Sequence, residues 1–109
     1  MQRKKVEGGV VFGNLFFTSG CCNLGDTLED EIRANMEEIG GWIRKQGADW
    51  KDVVKATVFL KDLNDRERCL NDIWKEYFPE DAPARTCVEA GIGKCRVEIE
   101  MVVALPEAE

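Results

Sequence analysis

The chain has 109 residues, 44% of them hydrophobic and 33% charged, a balance typical of a globular domain rather than of a disordered chain. The net charge is −6 and there is no histidine, which argues against nucleic-acid binding, a zinc site and a histidine-activated nucleophile. We therefore predict one domain, residues 1–109, whose chemistry rests on carboxylates, arginine, thiols or backbone dipoles.

The location of the protein is predicted from two absences in the sequence. No apolar run approaches the roughly 20 residues of a membrane span, and the N-terminal stretch lacks the apolar region of a signal peptide. We therefore expect a cytoplasmic protein with no membrane partner. The odd number of cysteines without CxxC spacing predicts reduced thiols, mostly small core residues, and no disulfide framework. These cysteines are Cys21, Cys22, Cys69, Cys87 and Cys95.

The first elements are two apolar runs in "VVFGNLFFTSG", separated by Gly13 and Asn14. Both turn residues tolerate positive φ, so the pattern predicts a tight antiparallel hairpin. The hairpin ends at Thr18 and Ser19. Their hydroxyl groups either face a pocket or satisfy nearby backbone groups.

The stretch "TLEDEIRANMEEIGGWIRKQG" predicts an amphipathic helix. Thr27 and Asp30 have the spacing of a capping box at its start, and Gly47 is placed to end it. Gly40 and Gly41 weaken a helix interior, so we expect a close contact between helix and sheet there. The apolar positions recur at spacings of four and three: Ile32, Met36, Ile39 and Ile43.

The clearest strand is "DVVKATVFLKDL", which is apolar on both faces. One predicted face carries Val54, Ala56, Val58 and Leu60, and the other carries Val53, Thr57 and Phe59. Two helices cannot cover both faces of the sheet, so this strand favours oligomerisation.

A second helix is predicted from Asp65 to Phe78, with Asn64 as its cap and Pro79 as its stop. Its apolar stripe is Leu70, Ile73, Trp74 and Tyr77. We interpret the tryptophans as core or interface aromatics.

Two further strands follow, in "ARTCVEA" and "CRVEIEMVVAL". Alternation places Arg85, Cys87 and Glu89 on one face of the first, opposite Ala84, Thr86, Val88 and Ala90. In the second it places Val97, Ile99, Met101 and Val103 opposite Arg96, Glu98 and Glu100. The element order predicts an α+β fold: a mixed sheet with two helices packed on one face.

Arg85 is the residue that most needs an explanation, because an unpaired buried charge costs several kcal/mol. One interpretation is an ion pair with Glu98 or Glu100 across neighbouring strands. The other is a bound anion, such as a ligand carboxylate. Spacing alone leaves both interpretations open.

At "PARTCVEA" followed by "VEIEMVVA" the sequence resembles the YjgF/YER057c/UK114 family, which includes RidA, the reactive intermediate deaminase. The resemblance extends to "VVFGNLFFTSG", "VVKATVFLKDLND" and "NDIWKEYF", and so covers nearly the whole chain in order. It implies a chorismate-mutase-like fold and a homotrimer with active sites in clefts between subunits.

The resemblance also implies a reaction: hydrolysis of 2-imino acids and their enamines to 2-keto acids and ammonia, without a cofactor. Arg85 matches the arginine that binds the substrate carboxylate, and Glu98 matches the glutamate that positions or activates water. The Cys87 backbone matches a further carboxylate contact, with its side chain lining the cleft. Ser19 and Asn71 also match pocket or near-pocket positions, and Cys21, at the position of a family glutamine, is a further candidate for substrate binding.

The chain departs from the family pattern at three places. The N-terminal segment lacks the cleft tyrosine, Cys21 replaces a glutamine, and "EAGIGKC" replaces a leucine-proline turn. These changes keep open an alternative, a non-catalytic protein that binds small keto or imino acids. Some relatives are described as endoribonucleases or translation inhibitors, a function that the acidic charge disfavours here.

Overall fold

The computed structural model of the protein describes residues 2–106. They form six strands and two α-helices. The strands are β1 (Lys4–Val6), β2 (Gly9–Phe12), β3 (Leu15–Thr18), β4 (Val53–Leu60), β5 (Ala84–Glu89) and β6 (Val97–Ala104). The helical elements are α1 (Leu28–Lys45), a 3-10 turn (Trp50–Asp52), a π-helical turn (Arg66–Leu70) and α2 (Asn71–Tyr77).

The strands form one mixed sheet in the order β1-β2-β3-β6-β4-β5. β4 and β5 are parallel, and every other neighbouring pair is antiparallel. Both α-helices pack on one face, so the predicted α+β architecture is confirmed. The other face, which we call the open face, has no element of residues 2–106 packed on it as a second layer. Neither helix in this part of the chain is long and apolar enough to cross a membrane.

The N-terminal hairpin is confirmed, with Phe12 paired to Leu15 across the Gly13–Asn14 turn. Gly13 has a φ of 63°, a conformation that a glycine adopts without strain. The sequence analysis missed β1, which pairs with β2 and forms one edge of the sheet. Its sequence, Lys-Lys-Val, has no apolar alternation, because its side chains bury little surface.

The predicted ends of α1 are also confirmed. Thr27 Oγ1 accepts a hydrogen bond of 3.1 Å from the Asp30 N–H, and Gly47 follows the helix with a φ of 80°. The expected close contact of the helix glycines with the sheet is wrong. Gly40 instead packs against Trp50, which lies in the 3-10 turn before β4, while a Cβ at Gly41 would meet no atom within 4 Å.

Gly40 and Gly41 therefore give a matched pair of substitutions. A Cβ at Gly40 would lie 2.9 Å from Trp50 Cζ2, so Gly40→Ala should destabilise the protein by about 1–3 kcal/mol through overpacking. Gly41→Ala adds a methyl group in open space and should stabilise it by up to about 1 kcal/mol. Urea denaturation measures both values. Equal effects of the two substitutions would contradict the packing described here.

The second helix begins differently from the prediction. The π-helical turn leads directly into α2, and the side-chain acceptor near its start is Asp62 Oδ1, which binds the Asn64 N–H at 3.0 Å. Asn64 was therefore wrongly predicted as the cap. The helix ends at Tyr77, shortly before Pro79, as predicted.

The face assignment of β4 was wrong at its first residues. Because of a register shift between Val53 and Lys55, the Val53 side chain points into the core, and Val54 is 51% exposed. From Ala56 onward the alternation holds. The core between the sheet and the helices includes Phe16, Ile32, Met36, Ile39, Ile43, Val58, Leu60, Leu70, Val97, Ile99, Met101 and Val103.

The cysteine prediction was wrong for two residues, because Cys22 and Cys95 form a disulfide with a Cα–Cα distance of 6.2 Å. The two positions are 73 residues apart in sequence. Only tertiary structure places their segments side by side. Cys21, Cys69 and Cys87 are free thiols.

Candidate functional site

The predicted site residues lie on two faces of the sheet. Arg85 pairs with Ala56, and Ala56 pairs with Met101, so the Arg85 side chain lies on the face that packs the helices. Glu98 pairs with Phe59, whose side chain alternates to the open face. The site therefore has two parts within one chain. We call Arg85, Asn71, Trp74 and Cys87 the arginine half, and Ser19, Gly20 and Glu98 the glutamate half.

In the arginine half, Arg85 has no carboxylate partner within residues 2–106. The ion pair considered from the sequence is absent because Glu98 and Glu100 lie on the open face. Arg85 Nη2 instead donates a 2.7 Å hydrogen bond to Asn71 Oδ1, a neutral acceptor. Burial lowers the pKa of Arg85, although an arginine stays charged at neutral pH. The guanidinium thus keeps its positive charge available for an anion.

Beside Arg85 is a cavity of about 380 Å³ between α2 and the start of β5. Trp74, Phe78 and Pro83 form apolar walls, and Asn71 also lines it. The Arg85 guanidinium carbon lies 5.3 Å from the centroid of the Trp74 ring, within the range of a cation–π contact. The indole holds one face of the guanidinium while Asn71 holds one of its nitrogens.

The backbone of β5 adds donors to this half. β5 is an edge strand, and the Ala90 N–H just beyond it donates to Leu60 O of β4 at 2.9 Å. Backbone N–H groups alternate in direction along a strand, so those of Arg85 and Cys87 point away from β4, toward the open edge. The Cys87 side chain is half-buried, and burial raises the pKa of its thiol.

In the glutamate half, Gly20 packs so closely on Glu98 that a Cβ at position 20 would overlap Glu98 Oε2. Ser19 is exposed next to Gly20, and its N–H donates to Gly8 O at 2.7 Å. Thr18 is buried, and its hydroxyl accepts a 2.8 Å hydrogen bond from the Met101 N–H. The Thr18 hydroxyl therefore satisfies a backbone group, as one of the two predictions had it, but that group lies on β6, 83 residues away in sequence.

Cys21 lies in neither half. It forms a two-way backbone bridge with Ile99, and its side chain is 2% exposed on the helix side of the sheet. Its Sγ donates to Glu38 Oε1 at 3.0 Å. Burial first, and then this bond to Glu38, raises the pKa of the thiol well above its ordinary value. The thiol is therefore an unreactive, structurally held donor.

Two residues of the site were missed as functional candidates in the sequence. Trp74 was interpreted as a core aromatic, although its spacing of three from Asn71 puts both on one helix face toward Arg85. Gly20 has no side chain, so its residue type gave no indication of a functional role. A strand-end glycine marks a close approach only once its neighbour, here Glu98, is known.

The comparison with protein families matches residues 5–105 to the family described as endoribonuclease L-PSP. The chain belongs to the YjgF/RidA family. A RutC family protein of Pyrococcus abyssi is 37% identical over 97 residues, covering 82% of this chain and 76% of the relative. A RutC family protein of Synechocystis is 43% identical over 82 residues, covering 72% of this chain and 62% of the relative.

Some YjgF/RidA relatives are named for an activity. Reactive Intermediate Deaminase A, chloroplastic, of Arabidopsis thaliana is 31% identical over 102 residues, covering 84% of this chain and 54% of the relative. This chain thus spans about half of the Arabidopsis protein and less than two thirds of the Synechocystis one. A solved YjgF family protein from Neisseria meningitidis is 28% identical with a TM-score of 0.85, covering 93% of this chain and 87% of its own.

Proposed function

We propose that this YjgF/RidA protein hydrolyses 2-imino acids of the 2-iminopropanoate and 2-iminobutanoate type to 2-keto acids and ammonia. The observation that carries the proposal is the Arg85 guanidinium, which is half-buried beside a cavity and bonded to a neutral amide instead of a carboxylate. An α-carboxylate is the anion that such a planar donor fits bidentately. Relatives named reactive intermediate deaminase support the same class of reaction.

In the proposed reaction, Arg85 and the edge N–H of Cys87 hold the substrate carboxylate. This fixes the adjacent imine carbon for attack. The oxygen of a water bonds to that carbon, and Glu98 accepts the proton that the water loses. That proton passes to the nitrogen as the C=N double bond becomes single, giving a carbinolamine. Glu98 then carries the proton of the carbinolamine hydroxyl to the nitrogen, the C=O bond forms as the C–N bond breaks, and ammonia and a 2-keto acid leave.

The two halves would act together between neighbouring copies, because Arg85 and Glu98 lie on opposite faces of one sheet. The open face has the apolar character of an interface: Phe17 is 42% exposed and Val88 is 38% exposed. We propose a homotrimer, in which the glutamate half of one copy meets the arginine half of the next. We place this assembly in the cytoplasm.

A second candidate is a binding protein that uses Arg85 to hold a keto or imino acid without turnover. The observation that favours it is the position of Cys21, which stands where the family pattern has a glutamine but is buried against Glu38 of α1 instead of lining the cavity beside Arg85. Binding of a keto acid without ammonia release from any imine would support it. The endoribonuclease description of the family is disfavoured by the net charge of −6 and is tested by salt-dependent RNA binding.

The proposal is tested by measuring ammonia and keto-acid release from imines that an amino acid oxidase generates in place. Arg85→Ala and Glu98→Ala should each remove the acceleration. The two inactive variants should also be refolded together in equal amounts. A cleft is then intact when its arginine half comes from a Glu98→Ala copy and its glutamate half from an Arg85→Ala copy. Random assembly of a cyclic oligomer should therefore restore roughly a quarter of the clefts. No recovery in folded mixed assemblies would reject the shared cleft, and no turnover by the wild type would reject the enzyme.

A further inference from the structure

The Cys22–Cys95 pair joins the two segments on which the glutamate half is built. Cys22 follows Ser19 and Gly20 by a few residues, and Cys95 precedes Glu98 by three. Between them, the Cys21–Ile99 bridge fixes the register of the same two segments, with N–H···O distances of 2.8 and 3.1 Å. The disulfide is therefore a covalent clamp next to the contact of Gly20 with Glu98.

We propose that Cys22 and Cys95 form a reversible dithiol–disulfide centre, and that its oxidised form holds the glutamate half rigid. This inference does not depend on the imine reaction. It rests on the different exposure of the two cysteine residues, on the noncovalent contacts that remain after reduction, and on the burial of neighbouring Cys21, which keeps that thiol out of disulfide exchange.

Access to the bond is asymmetric, because Cys22 is exposed whereas Cys95 is 5% exposed. An external dithiol can attack the Cys22 sulfur, forming a mixed disulfide and releasing Cys95 as a thiolate that takes up a proton. The second thiol of the reductant then displaces Cys22. The reductant becomes a disulfide, and the protein gains two electrons and two protons.

The reduced form would keep its two thiols close together, since noncovalent contacts hold both segments. Asn23 donates from its backbone N–H to Asn35 Oδ1 at 2.9 Å. Arg96, adjacent to Cys95, donates to Gly25 O at 3.0 Å and pairs with buried Glu31. Oxidation then closes the pair again without a search through unfolded conformations.

Cys21 is excluded from exchange by its surroundings. Its side chain faces α1 and its Sγ already donates to Glu38, so it stays a buried thiol while its neighbour reacts. This explains how two adjacent cysteines can have different chemistry. It also predicts that oxidation forms only the Cys22–Cys95 disulfide, and not a mixture with a Cys21–Cys95 disulfide.

The first experiment equilibrates the protein in buffers of graded reduced and oxidised dithiothreitol, adds excess maleimide in denaturant so that buried Cys21 also reacts, and counts free thiols by intact mass. The wild type should step from three to five free thiols as a unit, as expected for one disulfide among five cysteines. Cys69→Ser, the matched control outside the pair, should keep a two-thiol step. Cys22→Ser, a substitution at the exposed partner, should abolish it. Five reactive thiols under oxidising conditions, or a step that survives Cys22→Ser, would overturn the proposal.

The second experiment measures amide hydrogen exchange and melting in both forms. Reduction should speed exchange at residues 20–26 by about tenfold or more, speed it by a smaller factor in α2, and lower Tm by roughly 8 °C or more. Reoxidation should restore both values. Identical exchange in the two forms, or failure of reoxidised protein to recover the same pair, would show that the bond does not control this half reversibly.

Discussion

Replacing Arg85 by alanine should lower kcat/KM for 2-imino acids by about 100-fold or more. Under the proposed function, two charge-assisted hydrogen bonds from Arg85 to the substrate carboxylate would be lost, each contributing about 1.5–3 kcal/mol. The loss of orientation at the imine carbon adds to this. Because Arg85 has no carboxylate partner within residues 2–106, the substitution leaves no buried anion behind, and the fold should be retained. Steady-state kinetics with oxidase-generated imines gives the result.

Two variants separate the role of Arg85 from a general effect of charge. Arg68→Ala removes an arginine that is 67% exposed in the π-helical turn, and its kcat/KM should match the wild type. Asn71→Asp places a carboxylate where Asn71 Oδ1 now accepts from Arg85, so it should raise KM by competing for the guanidinium. Wild-type kinetics in both Arg85→Ala and Asn71→Asp would exclude Arg85 as the carboxylate anchor.

Replacing Glu31 by alanine should lower the free energy of unfolding by about 1–3 kcal/mol. Its carboxylate side chain is 1% exposed and forms an ion pair with Arg96, and it also accepts a 2.8 Å hydrogen bond from the Arg96 backbone N–H. Removal leaves the Arg96 backbone N–H without its acceptor where α1 meets the start of β6, whereas the Arg96 guanidinium, whose side chain is 44% exposed, keeps its bond to Gly25 O and is solvated by water. Thermal unfolding should show a decrease in Tm of roughly 5 °C or more.

The matched control for Glu31 lies on the same helix. Glu29 is paired with Arg33 at 3.1 Å, but its side chain is 57% exposed. Water replaces the partner of an exposed ion pair, so Glu29→Ala should change Tm far less than Glu31→Ala. Similar decreases in the two variants would mean that the buried pair contributes no more than a surface pair.

Local sequence was sufficient for most of the fold. The cap formed by Thr27, the hairpin turn at Gly13 and the alternation in β6 each depend on residues a few positions apart, so short-range geometry decides them. Predictions failed where another segment decides the outcome. Val53 turns inward because β4 pairs with β6 through a register shift, and Gly40 makes room for Trp50.

The candidate site divides in the same way. The sequence by itself determined that Arg85 shares a strand face with Cys87, because side chains alternate along an extended chain, and its resemblance to a family selected Glu98. Only the tertiary structure decided that Arg85 and Glu98 lie on opposite faces, since each strand's pairing sets which face is covered by the helices. The same long-range pairing brought Cys22 to Cys95 and left Arg85 with Asn71 instead of a carboxylate.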